Sequence, residues 1–320
     1  MDRIRVGFIG TGGFPNIFFF PQLAMHPVEN VAVCDVVEER ALDAQRRFGF
    51  AAAYTDFHDM LDREKLDAIF VAIGGQAHYE VARELLPRRI PLYLQKPPSS
   101  TSAQATELAA LAAEHDCLCH VGFNLRYSVA HRRAREIIAE PSFGPPSLVI
   151  FRYGLMQPGT WHSAMSEQHI HAYDSILDIG GPITGVRAML GRADEPRSYA
   201  AALKLASGAA GTINFTSGQS DSKEFTYFEV TGGGQNFLTC HDFDLLYRRG
   251  GAGAADEVYS RGNYGHLPNL QWLGYHGDVA NFLAAVQGIE EDQSPVASTI
   301  PTMALCEEVY KQLREDGAPE

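Results

Sequence analysis

Residues 4–16 read "IRVGFIGTGGFPN", and this stretch decides the fold. "IRVGFIG" is a short, β-rich apolar run that ends on Gly10. "GTGGFPN" then places Gly10 and Gly12 on the first two positions of a G-x-G-x-x-G turn, with Pro15 on the third. The first glycine permits a tight turn and the second lets the backbone approach a pyrophosphate. The third serves helix–strand packing, so Pro15 is expected to alter packing more than phosphate contact. A plain tight turn is the alternative. The position of the motif, after a first strand and before a helix, favours nucleotide binding through Gly10, Gly12 and Gly13.

The pattern continues outward. "NVAVCD", "DAIFVAI", "IPLYLQ" and "CLCHVGF" are further apolar runs, separated by helix-like stretches such as "VEERALDAQRRF" and "SAQATELAALAAEH". Strands alternating with helices imply right-handed crossovers and a parallel sheet. Near-continuous apolar strands fit a sheet covered on both faces. Residues 1–122 are therefore predicted to form a doubly wound, Rossmann-type domain. Asp35 closes "NVAVCD", where an acid would meet the ribose hydroxyls of a dinucleotide. Its charge opposes the extra phosphate of NADP, by up to about 4 kcal/mol per charge pair at roughly 4 Å and an effective dielectric near 20. Val36 and Val37 follow and supply no cation, so NAD is expected over NADP.

Bulk composition narrows the function classes. The chain has 320 residues, 45% of them hydrophobic, enough for a substantial core. A net charge of −13 disfavours nucleic acid, which needs a basic footprint, and an anionic membrane surface. No apolar stretch approaches the roughly 18 residues of a membrane span. The five cysteines (Cys34, Cys117, Cys119, Cys240 and Cys306) are odd in number and sparse, which points to reduced thiols in a cytoplasmic protein. "MDRIRVGFIG" goes straight into a strand pattern and lacks a signal-peptide layout.

"LYLQKPPSS", residues 92–100, carries Lys96 to the tip of an apolar strand, at the carboxyl edge where open α/β sheets bind ligands. A lysine is rarely buried without a partner. Either Lys96 ends a strand in solvent or it reaches into a cleft. Here the chain resembles the glucose–fructose oxidoreductase / inositol dehydrogenase (Gfo/Idh/MocA) family. "VGFIGTGG", "VAVCD", "LDAIFVAI", "QKP", "VGFNLRYS" and "HAYDSILDIGGPITGVRA" occur in the family's order and span nearly the whole chain. The resemblance implies that Lys96 lies in an active site and that the Lys96–Pro97 bond is cis. Gln95 stands where the family has glutamate, and "IGGQAH" (Ile73 to His78) where it usually has a Pro-Asn turn beside the nicotinamide. Ile73, His78, Gln95 and Lys96 are thereby candidate cofactor contacts, although His78 could equally be a helix-start histidine in solvent.

A second constellation lies in "SEQHIHAYDSILDIGG". Read as one helix, Glu167, His171, Asp174 and Asp178 fall at i, i+4, i+7 and i+11, on one face, and His169 faces elsewhere. The resemblance implies His171 as proton acceptor, with Glu167 in the place of the family's aspartate. Histidine suits the task because its ordinary pKa lies near neutrality. The implied chemistry is alcohol oxidation. His171 takes the hydroxyl proton, carbon-bound hydride passes to NAD, and Lys96 hydrogen-bonds the same oxygen. Asn124 and Arg126, in "GFNLRYS", stand where the chain leaves the first domain and are either substrate contacts or a structural cap and a surface charge; Trp161, His162, Asp174 and His276 are candidate substrate contacts by position. No metal is expected. "HIH" is a pair rather than a tetrahedral set, and the thiols of "CLCH" read as small buried hydrophobes.

The second half contains strand-like "SLVIFRY", "GVRAML", "YAAALKLA", "AAGTINFTS" and "FTYFEVTG", several of them alternating. "RRGGAGAADEVYSRGN" reads as a Gly-rich loop, and "GDVANFLAAVQG" and "TMALCEEVYKQL" as closing helices. Residues 123–320 are thus predicted to form an α+β domain with a large, mainly antiparallel sheet for substrate binding and oligomerisation. Its closing helices could pack back toward the first domain. The resemblance implies a homodimer or homotetramer. The leading function is an NAD-dependent dehydrogenase of a sugar, polyol or inositol. The alternatives are a glycoside hydrolase that oxidises its substrate transiently with bound NAD, and a non-catalytic regulator that binds NAD and a sugar.

Overall fold

The computed structural model describes residues 3–154, 160–218, 225–243, 245–251, 256–260 and 269–319. The chain divides into two compact units. The first comprises Met1–Phe123 with Tyr275–Ile300, and the second Asn124–Gly274 with Pro301–Glu320.

In the first unit, β1 (Ile4–Ile9) is followed by two short helices, α1 (Gly13–Phe18) and α2 (Phe20–Leu23). Pro15 is buried in the first turn of α1, where a proline has no intrahelical N–H bond to lose. Pro21 opens α2 and accounts for the break between the two helices. Then come β2 (Val28–Cys34), α3 (Glu38–Phe48), β3 (Ala52–Tyr54), α4 (Phe57–Arg63), β4 (Ala68–Val71), α5 (Gly75–Leu85), β5 (Leu92–Gln95), α6 (Ser102–Glu114) and β6 (Cys119–Gly122). The strands pair in parallel in the order β3-β2-β1-β4-β5-β6, the doubly wound arrangement that the alternation predicts. The three-residue edge strand β3 is too short and too half-buried to leave a pattern, and the sequence reading lacks it.

The sequence division places residues 275–300 with the second domain, whereas their packing places them with the first unit. The reason is α11. Its Val279, Phe282 and Leu283 join the same apolar core as Phe8, Phe19, Phe70 and Tyr93. Phe282 meets Phe70 and Tyr93 edge-on, with ring centroids 5.2 and 5.6 Å away. Buried Asp278, on the same helix, accepts a hydrogen bond from Tyr93 Oη.

The second unit contains α7 (Val129–Ile138), β7 (Leu148–Gly154), a short turn α8 (Trp161–Ser163), α9 (Ile170–Gly180), β8 (Ile183–Arg192), β9 (Ser198–Leu205), β10 (Ala210–Thr216), β11 (Phe225–Thr231), β12 (Phe237–His241), β13 (Leu245–Arg249), β14 (Glu257–Ser260) and α10 (Asn269–Trp272). Helix α11 (Tyr275–Val286) belongs to the first unit, and α12 (Ile300–Glu315) lies almost wholly in the second. The strands form one sheet in the order β14-β13-β12-β11-β7-β10-β9-β8. Only the β7–β10 pairing among them is parallel, so the sheet is mainly antiparallel as expected. The Gly-rich stretch is not simply a loop. Arg248 and Arg249 end β13, and Glu257–Ser260 form β14 against it. Residues 252–255 and 261–263 of that stretch lie outside the described residues.

Candidate functional site

The carboxyl edge of the parallel sheet gathers the first set of candidates. Gly10 has φ +93°, and a Cβ there would lie 2.3 Å from Ala72 O. Only glycine lets the turn after β1 approach the turn after β4 this closely. At Gly12 and Gly13, by contrast, a Cβ would meet nothing within 4 Å, so this stretch of backbone is open to a ligand. Asn16 Nδ2 donates to Thr11 O and Gly12 O, both at 2.8 Å, and so fixes the turn from inside. An open cleft of about 440 Å³ lies along it, bordered also by Glu39, Arg40 and Asp43 of α3.

Asp35 follows β2 as expected but is buried. Its Oδ2 accepts the Thr11 backbone N–H at 2.8 Å and the Thr11 hydroxyl at 3.0 Å. Its Oδ1 accepts the Val37 N–H at 2.9 Å. Asp35 thus holds the Gly-rich turn in place as well as bringing a negative charge to it. Thr11, absent from the sequence-based set, is the residue that couples the two. Val36 beside it is 88% exposed.

Lys96 is half-buried, just beyond β5. Gln95 is buried, and its Oε1 accepts the Lys96 N–H at 3.0 Å. The Lys96–Pro97 bond is cis. Pro97 O accepts from His78 Nδ1 at 2.7 Å, and His78 Nε2 accepts the Ile73 N–H at 3.0 Å. His78 is therefore not the solvent-facing helix-start histidine that the sequence leaves open. It is buried, and burial pushes it down to about 4, with Lys96 adding to the effect against the opposing pull of the Pro97 carbonyl. A neutral ring with one donor and one acceptor is what this bridge requires. His78 ties the turn after β4 to the turn that carries Lys96. Ile73 is 42% exposed beside it.

The second set lies in the other unit, and its helix differs from expectation. Instead of one regular helix there is α8, then a π-helical segment Ala164–His169, then α9. The wider π turn breaks the i, i+4 register between Glu167 and His171. Glu167 is exposed, whereas His171 and Asp174 are buried. Asp174 accepts from Arg126 Nε at 2.9 Å and Nη2 at 2.6 Å, and from Thr302 Oγ1 at 3.0 Å. Arg126 and Asp174, expected as substrate contacts, are thus bound to each other. Asp178 pairs with Arg135 at 2.5 Å. Asn124 is buried and its Nδ2 donates to Leu273 O at 2.8 Å.

Trp161 is buried and donates from Nε1 to Ala193 O at 3.1 Å, which suits a packing role. His162 is exposed, 5.6 Å between ring centroids from Tyr310. His276 belongs to α11 of the first unit and stacks on His26 at 4.4 Å. His169 of "HIH" is packed 3.5 Å from the Phe215 ring, held neutral by burial at about 3. Among the described residues no group of three or more His, Cys, Asp or Glu side chains could hold a metal ion. His171 instead lines a small pocket with Ser175 and Thr226, neither of which the sequence marks.

Residues 4–123 match the family described as "Oxidoreductase family, NAD-binding Rossmann fold". The chain is similar to inositol 2-dehydrogenase of Salmonella typhimurium, 27% identical over 128 residues, which cover 39% of this chain and 38% of that protein. It is similar to levoglucosan dehydrogenase of Pseudarthrobacter phenanthrenivorans, 24% identical over 217 residues, 59% of this chain and 54% of that protein. These alignments thus span about two fifths to a little over half of the relatives' own length. A dehydrogenase structure from Chromobacterium violaceum superposes with a TM-score of 0.89 at 21% identity, covering 97% of this chain and 95% of that one. Levoglucosan dehydrogenase in complex with NADH and levoglucosan superposes at 0.87 with 17% identity over both full chains. At these identities the superpositions speak for the fold.

Proposed function

We propose, for a chain whose residues 4–123 belong to the Gfo/Idh/MocA oxidoreductase family, an NAD-dependent dehydrogenase that acts on a hydroxyl-bearing carbon of a sugar, polyol or inositol. The observation that carries this reading is the carboxyl edge of the parallel sheet. An open Gly12–Gly13 backbone, the Asp35 carboxylate and the braced Lys96 turn follow β1, β2 and β5 of one sheet. Gly10, Gly12, Gly13, Asp35 and Ile73 would hold the dinucleotide, which when bound supplies the hydride acceptor.

The chain's own residues supply position and proton handling. Lys96 brings a positive charge to steady a developing alkoxide. Its backbone is fixed on one side by Gln95 Oε1 and on the other by the His78 bridge to Pro97. His171, on the first turn of α9, is the proposed proton acceptor, and Glu167 stays a candidate to orient it. Asp35, with exposed Val36 and Val37 and the acids Glu39 and Asp43 beside Arg40, supports NAD over NADP. The buried free cysteines support a cytoplasmic protein, and the resemblance to the family is what suggests a homodimer or homotetramer.

The test is a pair of variants assayed against a panel of sugars and polyols. Lys96→Ala and His171→Ala should each lower kcat at least about 10²-fold, the scale of a lost acid–base group. NAD binding should survive both. Wild-type turnover in either variant removes that residue from the mechanism.

A further inference from the structure

Lys96 sits on a turn with few donors of its own. Pro97 and Pro98 follow it, and neither has a backbone N–H. The Lys96 N–H already donates to Gln95 Oε1 at 3.0 Å. Beyond Lys96 the turn is held through a carbonyl, with His78 Nδ1 donating to Pro97 O at 2.7 Å. The other nitrogen of the same ring, Nε2, accepts the Ile73 N–H at 3.0 Å. Pro97 O can only accept and the Ile73 N–H can only donate. The ring must therefore carry its proton on Nδ1 and leave Nε2 as an acceptor. Burial holds it in that neutral form, pushed down to about 4, and the charge of Lys96 adds to the effect.

Each end of this bridge leads to one part of the site. On the Ile73 side, a Cβ on Gly10 would lie 2.8 Å from Ile73 Cγ2 and 2.3 Å from Ala72 O. The Ala72 N–H donates to Ile9 O at 2.9 Å. Ala72 and Ile73 thus stand directly against the first glycine of the nucleotide turn. On the Lys96 side, a Cβ on Gly75 would lie 2.9 Å from Ser99 O and 3.0 Å from Pro97 Cγ. Glycine there lets α5 begin against the Pro-Pro turn. The His78 backbone N–H closes the first turn of α5 on Gly74 O at 2.7 Å, which fixes where the imidazole starts.

We propose that His78 is a positioning residue that serves the cofactor and Lys96 through separate ring nitrogens. Nε2 fixes the Ile73 wall against the Gly10 turn, and Nδ1 fixes the turn that carries Lys96. His78 is only 1% exposed, so it acts through these two turns rather than by touching a substrate. Because one tautomer makes both bonds, moving the proton to Nε2 would break both at once. The consequence for binding and turnover rests on the reading of Ile73 and Lys96 as site residues.

The experiment separates the two nitrogens with His78→Asn and His78→Gln. The asparagine amide nitrogen stands in for Nδ1 and keeps the bond to Pro97 O. The glutamine amide oxygen reaches the place of Nε2 and keeps the bond to the Ile73 N–H. Two quantities are read on the full chain. One is the ¹³C NMR signal of Lys96 after reductive dimethylation, which retains the charge, assigned by its loss in Lys96→Arg. The other is NAD affinity by calorimetry. His78→Gln should move the Lys96 signal and leave NAD affinity unchanged. His78→Asn should leave the Lys96 signal in place and weaken NAD binding about fivefold, the factor of one net hydrogen bond. Equal changes in both variants would mark a merely structural histidine and overturn the proposal, as would no change in either. A third reading needs no variant to fold. The wild-type histidine ¹⁵N spectrum, with His78 assigned through its backbone amide, should show the proton on Nδ1, and a proton on Nε2 overturns the proposal. Wild-type protein that binds no NAD would sink the dehydrogenase reading and the cofactor half of this inference with it. The tautomer and the Lys96 signal need no nucleotide and would still decide the Lys96 half.

Discussion

Each unit buries a histidine completely, and the two are held in opposite charge states. In the first unit His120 lies between two carboxylates, with Nε2 2.8 Å from Asp278 and Nδ1 2.6 Å from Asp292. Burial alone would lower its pKa, but the hydrogen bonds to Asp278 and Asp292 outweigh it and raise the ring to about 9. In the second unit His131 lies between two hydroxyls and burial wins, at about 3. Equal burial thus gives an imidazolium in one place and a neutral ring in the other. The partners decide the charge, and the charge decides the job. His120 clamps residues 275–300 to the parallel sheet, whereas His131 ties the start of α7 to α9 through Ser128 and Ser175.

The largest expected effect comes from breaking the charged side of this contrast. Asp278→Asn leaves a buried imidazolium half-compensated and should cost about 3–5 kcal/mol at pH 7 by urea unfolding. A loss under about 1 kcal/mol would mean that His120 is neutral after all. Next is the alkaline limb of wild-type stability. The folded pKa of His120 lies above its unfolded value, so its contribution is complete below about pH 6.5 and fades as pH rises through 9. Roughly 3 kcal/mol should disappear over that window, and Asp278→Asn should flatten the slope. The neutral histidine sharpens the contrast from the acid side. The folded pKa of His131 is depressed, so its contribution is present above about pH 6.5 and is lost as pH falls toward 3. By pH 5 that loss is about 2 kcal/mol. Comparing the acid limbs of wild type and His131→Gln isolates it from His26, His78 and His169, which burial also depresses. Equal limbs would contradict the neutral assignment. The smallest change is Asp292→Asn. Asp292 keeps some solvent and Asp278 remains, so about 1.5 kcal/mol is expected in the same unfolding assay.

What the sequence makes legible follows the same division. The parallel sheet is readable because apolar runs and Gly-rich turns are local signals, and Gly10, Asp35 and Lys96 stand at their ends. The bracing of those residues is not local. Thr11 reaches Asp35 across 24 positions and His78 reaches Pro97 across 19, so no spacing rule finds them. The placement of α11 is hidden for a stronger reason. Asp278 meets its partners 158 and 185 residues away, and its helix looks like any other closing helix. Around His171 the periodicity misleads, because the π turn at Ala164–His169 shifts the register that would align Glu167 with it. Ser175 and Thr226 carry no motif at all. Only burial and a missing partner for Thr226 mark them.

The dehydrogenase reading requires an NAD site in the first unit, built around Asp35. The most direct measurement is a calorimetric titration of nucleotide-free protein with NAD and, separately, with NADP. Micromolar NAD binding is expected, with NADP weaker by at least about tenfold, the result of even a third of one close charge repulsion. Equal or tighter NADP binding would contradict the role of Asp35. Binding of neither nucleotide would contradict the dehydrogenase reading as a whole.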